Sequence, residues 1–136
     1  MKAVLITIGD EILSGNTIDT NSNFIANQLK EIGIPVVQIF TVADTLDSIS
    51  KTLETAHQLG DIIITTGGLG PTKDDKTKTA FAEFFNDKLV LDDPTFEHLR
   101  KIFIKRNREH LLEINRNQAV VLSKATIFQN ENGSAP

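Results

Sequence analysis

An α/β fold with a parallel sheet is what the sequence predicts, and two observations carry the prediction. Short apolar runs alternate with segments of helical period, and a glycine follows each of the first two helical segments. The first run, AVLITI at residues 3–8, is rich in β-branched residues and bounded by Gly9, as suits a strand buried on both faces. From Asp19 to Ile32 the period lengthens, with Ile25, Leu29 and Ile32 at i, i+4 and i+7. Asp19, Thr20 and Asn21 are candidate N-caps there, and Gly33 stands where a C-cap glycine belongs. A second strand, PVVQIFTV, ends at Val42. Thr45 can cap the next helix, whose face is marked by Leu46, Ile49, Leu53, Ala56 and Leu59 before Gly60 stops it. DIIIT reads as the third strand and runs into a glycine loop.

Beyond the loop, a helix starting near Asp74 or Asp75 carries Ala80, Phe81, Phe84 and Phe85, with the phenylalanines read as core. Asp93-Pro94 reads as an N-cap followed by an N1 proline, opening a helix with Phe96, Leu99, Ile102 and Phe103 on one side. Residues 119–128 hold at least one further short strand. The length suits a single domain over residues 1–136, and the closing NENGSAP reads as a turn inside a longer fold, a domain truncated at its C-terminus.

Composition narrows the function classes. An apolar share of 40% with 24% charged residues is that of a globular domain. No apolar run approaches the ~18 residues of a membrane span, and acids follow the first apolar run too closely for a signal peptide. A net charge of −4 argues against a sequence-independent nucleic-acid binder. The absence of cysteine excludes disulfides, thiolate metal sites and a cysteine nucleophile, which fits a cytoplasmic location. His57, His98 and His110 lie in helical patterns without metal-ligand spacing, and Lys101, Lys105, Arg106 and Arg108 read as a solvated helix face.

In open parallel sheets ligands bind beyond the carboxyl ends of the strands. The loops GDEILSGNTIDTN, ADT and GGLGPTKDD leave those ends, bringing Asp10, Glu11, Asp19, Asp44, Asp74 and Asp75 to one edge. Hydroxyls and amides arrive with them on Ser14, Asn16, Thr17, Thr20, Asn21, Thr45, Thr66 and Thr72, of which Ser14, Asn21 and Thr72 are ligand-contact candidates. Asp19 reads more simply as a helix cap than as a ligand. Glu11 has no evident structural task.

The third loop nearly matches two phosphate motifs. Gly70 to Thr77 has Walker A spacing, but Asp75 stands at the second glycine; Gly68-Leu-Gly70 begins a dinucleotide fingerprint that Lys73 breaks. Carboxylates beside a phosphate repel it unless a cation intervenes, and hard oxygen ligands select Mg²⁺. The loop therefore reads as a glycine cradle for phosphate beside acids, Asp75 and Asp44, that hold a metal or activate water.

GDEILSGNTIDTN, Val42 and Asp44, TTGGLGPTKDDKT, NQA at 117–119 and NENGSAP together resemble the N-terminal domain of the CinA family. That domain is one of the molybdopterin-binding domains, with those of the MoaB, Mog and MoeA proteins. The relatives have GGTG, four residues, an Asp, and a threonine two further on. Gly67, Gly68, Leu69 and Gly70, followed by Asp75 and Thr77, keep that spacing, and Leu69 with Pro71-Thr72 points toward CinA.

The resemblance implies a three-layer α/β/α fold with a mostly parallel sheet, a site at its C-terminal edge, and homo-oligomers, dimers or trimers. It implies metal-dependent hydrolysis of ADP-ribose or a related pyrophosphate, with Mg²⁺ or another divalent cation, and K⁺ as a further candidate. Asp44 and Asp75 match the acids of the site, to hold metal; Gly67, Gly68, Gly70 and Thr72 match the anion-holding loop, with Asp74 beside it. Glu11 is the candidate general base or support for the metal. The alternatives are a binding module for molybdopterin and a non-catalytic domain serving oligomerisation or regulation. The deamidase domain that usually follows in CinA proteins is not part of these residues, so deamidation is not expected of them.

Overall fold

Strand β1 (Ala3–Ile8) is buried along its whole length because it is paired on both sides. Its neighbours are β2 (Val36–Val42) and β3 (Ile62–Gly67), both parallel to it, in the order β2-β1-β3. The computed structural model describes residues 1–68, 76–130 and 133. They fall into two compact units, Met1–Gly68 and Leu69–Pro136.

In the first unit the chain passes from β1 out to β2 and then back across β1 to β3. Right-handed crossovers in opposite directions place the two connecting helices on opposite faces of the sheet. Helix α2 (Thr20–Glu31) covers the face of Ala3 and Leu5, where Leu29 joins the buried cluster with Ile25 and Ala26 beside it. Helix α3 (Leu46–Leu59) buries Ile49, Leu53 and Ala56 and packs on β1 and β2. Burying side chains of the size of Ile49 and Leu53 stabilises by about 1.5–3 kcal/mol each. The layering is helix, sheet, helix, as expected.

In this unit the N-caps Asp19 and Thr45 are made as read: Asp19 accepts from the Ser22 N–H, and Thr45 from the Ser48 N–H. Two details differ. Residues Asp10–Leu13 form a short helix, α1, where a loop was expected. Ile32 is 69% exposed because it is the C-cap of α2, past the last turn of the apolar stripe.

The second unit contains α4 (Lys76–Phe84), β4 (Leu89–Leu91), α5 (Asp93–Lys105), 3₁₀ turns at Glu109–Leu111 and Arg116–Ala119, and β5 (Val120–Leu122). β4 and β5 pair antiparallel, with Val90 opposite Val121. β5 falls inside the 119–128 window, whereas β4 was not foreseen. Phe85, expected in the core, is 53% exposed: α4 stops at Phe84, and Asn86 at φ 45° turns the chain away. The basic residues of α5 and its C-terminal end are exposed, as a solvated face requires.

The N-cap of α5 is Asp92 rather than Asp93. Its carboxylate accepts from the Thr95 N–H at 2.9 Å and the Thr95 hydroxyl at 2.6 Å. Thr95 is almost fully buried, so its hydroxyl depends on that acceptor. Asp92→Ala is expected to lower stability by about 1–2 kcal/mol, read as a reduced denaturant midpoint, whereas Asp93→Ala should change it little.

Among the described residues, no helix is long and apolar enough to cross a membrane.

Candidate functional site

The strand order β2-β1-β3 reverses the direction of winding at β1, which creates a crevice between the carboxyl ends of β1 and β3. A cleft of about 140 Å³ occupies that place. Thr7 and Ile8 of β1 and Thr66 and Gly67 of β3 form its floor; Glu11 of α1 and Thr17 to Asn21 form its sides. Its volume is about five water molecules' worth, enough for one sugar ring or one phosphate rather than a dinucleotide.

Parity along β1 explains the floor. Ala3, Leu5 and Thr7 point to the α2 side, so the apolar column turns polar at its last residue. Thr7 is buried, and its hydroxyl donates to the Asp19 carboxylate at 2.6 Å. The buried Ser22 hydroxyl lies 2.9 Å from the Thr7 oxygen, and the Thr66 hydroxyl donates to it at 3.4 Å. Burial pushes the Asp19 carboxyl up, but hydrogen bonds from Ser22, Thr7 and the Asn21 backbone outweigh it and hold the group below the ordinary value of 3.8. Asp19 is thus a fixed negative charge at the N-terminus of α2, favourable to the helix dipole.

Gly67 closes the crevice. It ends β3 opposite Ile8 with φ at +85°, and a Cβ there would lie 2.0 Å from the Ile8 carbonyl oxygen. Gly68 follows at φ +65°. Two consecutive left-handed glycines direct the chain into the loop with bare backbone beside the cleft.

The expected site residues separate into three groups. Glu11, Asn21 and Gly67 line the cleft. The Glu11 carboxylate folds back over Gly9, less than 3 Å from where a Cβ on Gly9 would stand. Asp44, Ser14 and Gly68 lie outside the lining: Asp44 follows β2, its N–H donating to the Asp10 carboxylate at 3.3 Å, the Ser14 hydroxyl donates to the Glu11 carbonyl at 3.2 Å, and Gly68 follows the lining residue Gly67. Gly70, Thr72, Asp74 and Asp75 lie outside the described residues. Among the described residues, no three or more of His, Cys, Asp and Glu converge to hold a metal ion.

The sequence marks Asp19 as a cap and gives Thr7 no role. The available signal is threonine near the end of each of two otherwise apolar strands, AVLITI and IIITTG. The second unit has a larger cavity of about 360 Å³, lined by Phe81, Phe85 and Leu122 among others, and none of the candidate residues among the described ones lines it.

Comparison with known proteins agrees with this fold. Residues 4–133 match the family described as "Probable molybdopterin binding domain". A CinA-like protein of Flavobacterium psychrophilum is 43% identical over all 136 residues, which amount to 32% of its length. The chain thus spans about a third of the curated relatives it matches. The crystal structure of the protein CinA from Thermoplasma acidophilum, described as of unknown function, superposes with a TM-score of 0.87 at 34% identity, over 99% of this chain and 78% of that one. The molybdopterin biosynthesis Mog protein from Mycobacterium ulcerans shares the fold, with a TM-score of 0.57 at 21% identity over 89% of this chain and 80% of that one.

Proposed function

The chain belongs to the family of probable molybdopterin binding domains, in its CinA-like branch, and from that premise we propose that it binds a phosphate-bearing nucleotide or pterin and hydrolyses ADP-ribose or a related pyrophosphate with a divalent cation. The observation behind this reading is the crevice at the reversal of strand order, where Gly67 and Gly68 offer unshielded backbone beside a polar cleft. Backbone N–H groups in such glycine turns attract anions.

The carboxylates after β1 and β2 suit Mg²⁺ or another divalent cation. Asp10 and Asp44 are joined through the Asp44 N–H, and Mg²⁺ takes one or two carboxylates while keeping water. Asp44 would hold it together with Asp75. A divalent cation bound there neutralises charge on the phosphate oxygens. The chain's own residues do the rest. Glu11 accepts a proton from a water that adds to one phosphorus, and the bond from that phosphorus to the bridging oxygen breaks, releasing AMP and ribose 5-phosphate from ADP-ribose. N–H groups of the glycine loop hold the phosphate as charge builds on it. Assembly of two or three copies belongs to the same reading.

The test is AMP release from ADP-ribose by the purified chain with Mg²⁺, with EDTA, and with Asp75→Asn. Release with Mg²⁺ is expected to stop in EDTA and to fall at least about tenfold in the variant. Release unaffected by EDTA would overturn the metal role, and no release would overturn the hydrolase. The family description favours a second reading, molybdopterin bound without hydrolysis. Displacement of a pterin by ADP-ribose, with no AMP formed, would select it.

A further inference from the structure

The electrostatics of the cleft do not suit the phosphate itself. Two carboxylates, Glu11 and Asp19, are among its lining residues, and among the described residues no Lys, Arg or His lines it. Asp19, held ionised, only accepts hydrogen bonds. Thr7 has one proton and spends it on Asp19; Thr66 has one proton and spends it on Thr7. The chain of hydroxyls therefore has a fixed direction, and Thr66 is left with oxygen lone pairs for whatever enters. Phosphate oxygens are acceptors as well, so at Thr66, Asp19 and Glu11 a phosphate would meet acceptors and negative charge, and only Thr17, Thr20 and Asn21 carry side-chain donors among the other described lining residues. A cation is poorly served too, since no three acidic or histidine groups converge among the described residues.

Resting on the phosphate-ligand reading above, we propose that the cleft between β1 and β3 is a subsite for the hydrogen-bond donors of the ligand, a sugar hydroxyl or ring N–H. Thr66 reads these donors through a hydroxyl chain that Asp19 orients. The phosphates then lie outside the cleft, by the bare backbone of Gly67 and Gly68. The volume of about 140 Å³ matches a single sugar ring, and the carboxylates exclude a free anion from the same place. Thr66 is the specificity-determining residue here, and Asp19 is a positioning residue acting through Thr7.

Calorimetric titration with two probes in Mg²⁺ tests this: ADP-ribose, which carries sugar hydroxyls, and inorganic pyrophosphate, which carries none. Thr66→Val is expected to lower the affinity for ADP-ribose relative to pyrophosphate by about three- to tenfold, the worth of one hydrogen bond. Thr66→Ser, which keeps the hydroxyl, should restore the ratio and guards against a folding defect in the valine variant. An unchanged ratio in Thr66→Val, whether both probes weaken together or neither does, overturns the subsite. Wild-type binding of pyrophosphate but not ADP-ribose overturns the subsite alone. Wild-type binding of neither overturns the phosphate-ligand reading and the subsite with it.

Discussion

Gly67→Ala is expected to cost at least about 3 kcal/mol of stability, a large share of the roughly 5–15 kcal/mol that holds a folded domain together. Two terms add. An alanine at φ +85° carries left-handed strain of about 1–2 kcal/mol. Its Cβ would also stand 2.0 Å from the Ile8 carbonyl oxygen and 3.0 Å from the carbonyl carbon. The obstructing atoms are backbone of the central strand. Ile8 is buried, and the next residue, Gly9, is tied by its N–H to the Val42 carbonyl at 3.0 Å, so β1 has no direction in which to retreat. The ends of β1 and β3 must separate, which also opens the cleft. Gly33→Ala supplies the control: it has a similar φ of +77° but nothing within 4 Å of a Cβ. Its loss should be about 1–2 kcal/mol, from strain alone. Urea unfolding of both variants measures the difference, and equal midpoints would show that the close approach of Gly67 to Ile8 carries no weight.

Elements with long, uniform patterns were legible, and those decided by tertiary pairing were not. β1 needed only its apolar continuity, and α3 only its stripe and Thr45. β4, three residues long, has no period to detect and exists through its pairing with β5. Asp92 and Asp93 both precede Pro94, and their local chemistry is nearly the same; the choice falls on Asp92 because its carboxylate reaches both the N–H and the buried hydroxyl of Thr95. The site shows the same division. Convergence of loops at one sheet edge follows from the alternation of strands and helices, and it brought Glu11, Asn21 and Gly67 to the cleft. The Thr7–Asp19–Ser22–Thr66 cluster depends on which face of β1 meets α2 and on the register Thr7 to Thr66 across the sheet. A register between strands more than fifty residues apart has no local signature.

Removing the Asp19 carboxylate should be nearly as costly, and the cost should depend on pH. Asp19→Ala deletes the N-cap of α2, worth about 1 kcal/mol, and leaves the buried Thr7 hydroxyl without its acceptor, about 1–3 kcal/mol more. The summed loss of about 2–4 kcal/mol should appear as a lower urea midpoint at neutral pH. Asp19→Asn keeps an acceptor oxygen and should lose less. The native carboxyl binds its proton more weakly than the unfolded one, because hydrogen bonds from Ser22, Thr7 and Asn21 outweigh the upward push of burial. Its contribution is therefore complete above the unfolded value of 3.8 and is lost as pH falls through the depressed native value. Wild type should lead Asp19→Asn at pH 6, and the lead should shrink by pH 3 and below. The asparagine has no proton to gain in that range. A lead that stays constant from pH 6 to pH 2 would mean that the carboxylate's charge adds nothing to the cap, and the fixed direction of the hydroxyl chain would lose its anchor. A lead that closes on acidification would instead tie the stability of the α2 N-terminus to the same ionised group that orients Thr7 and Thr66.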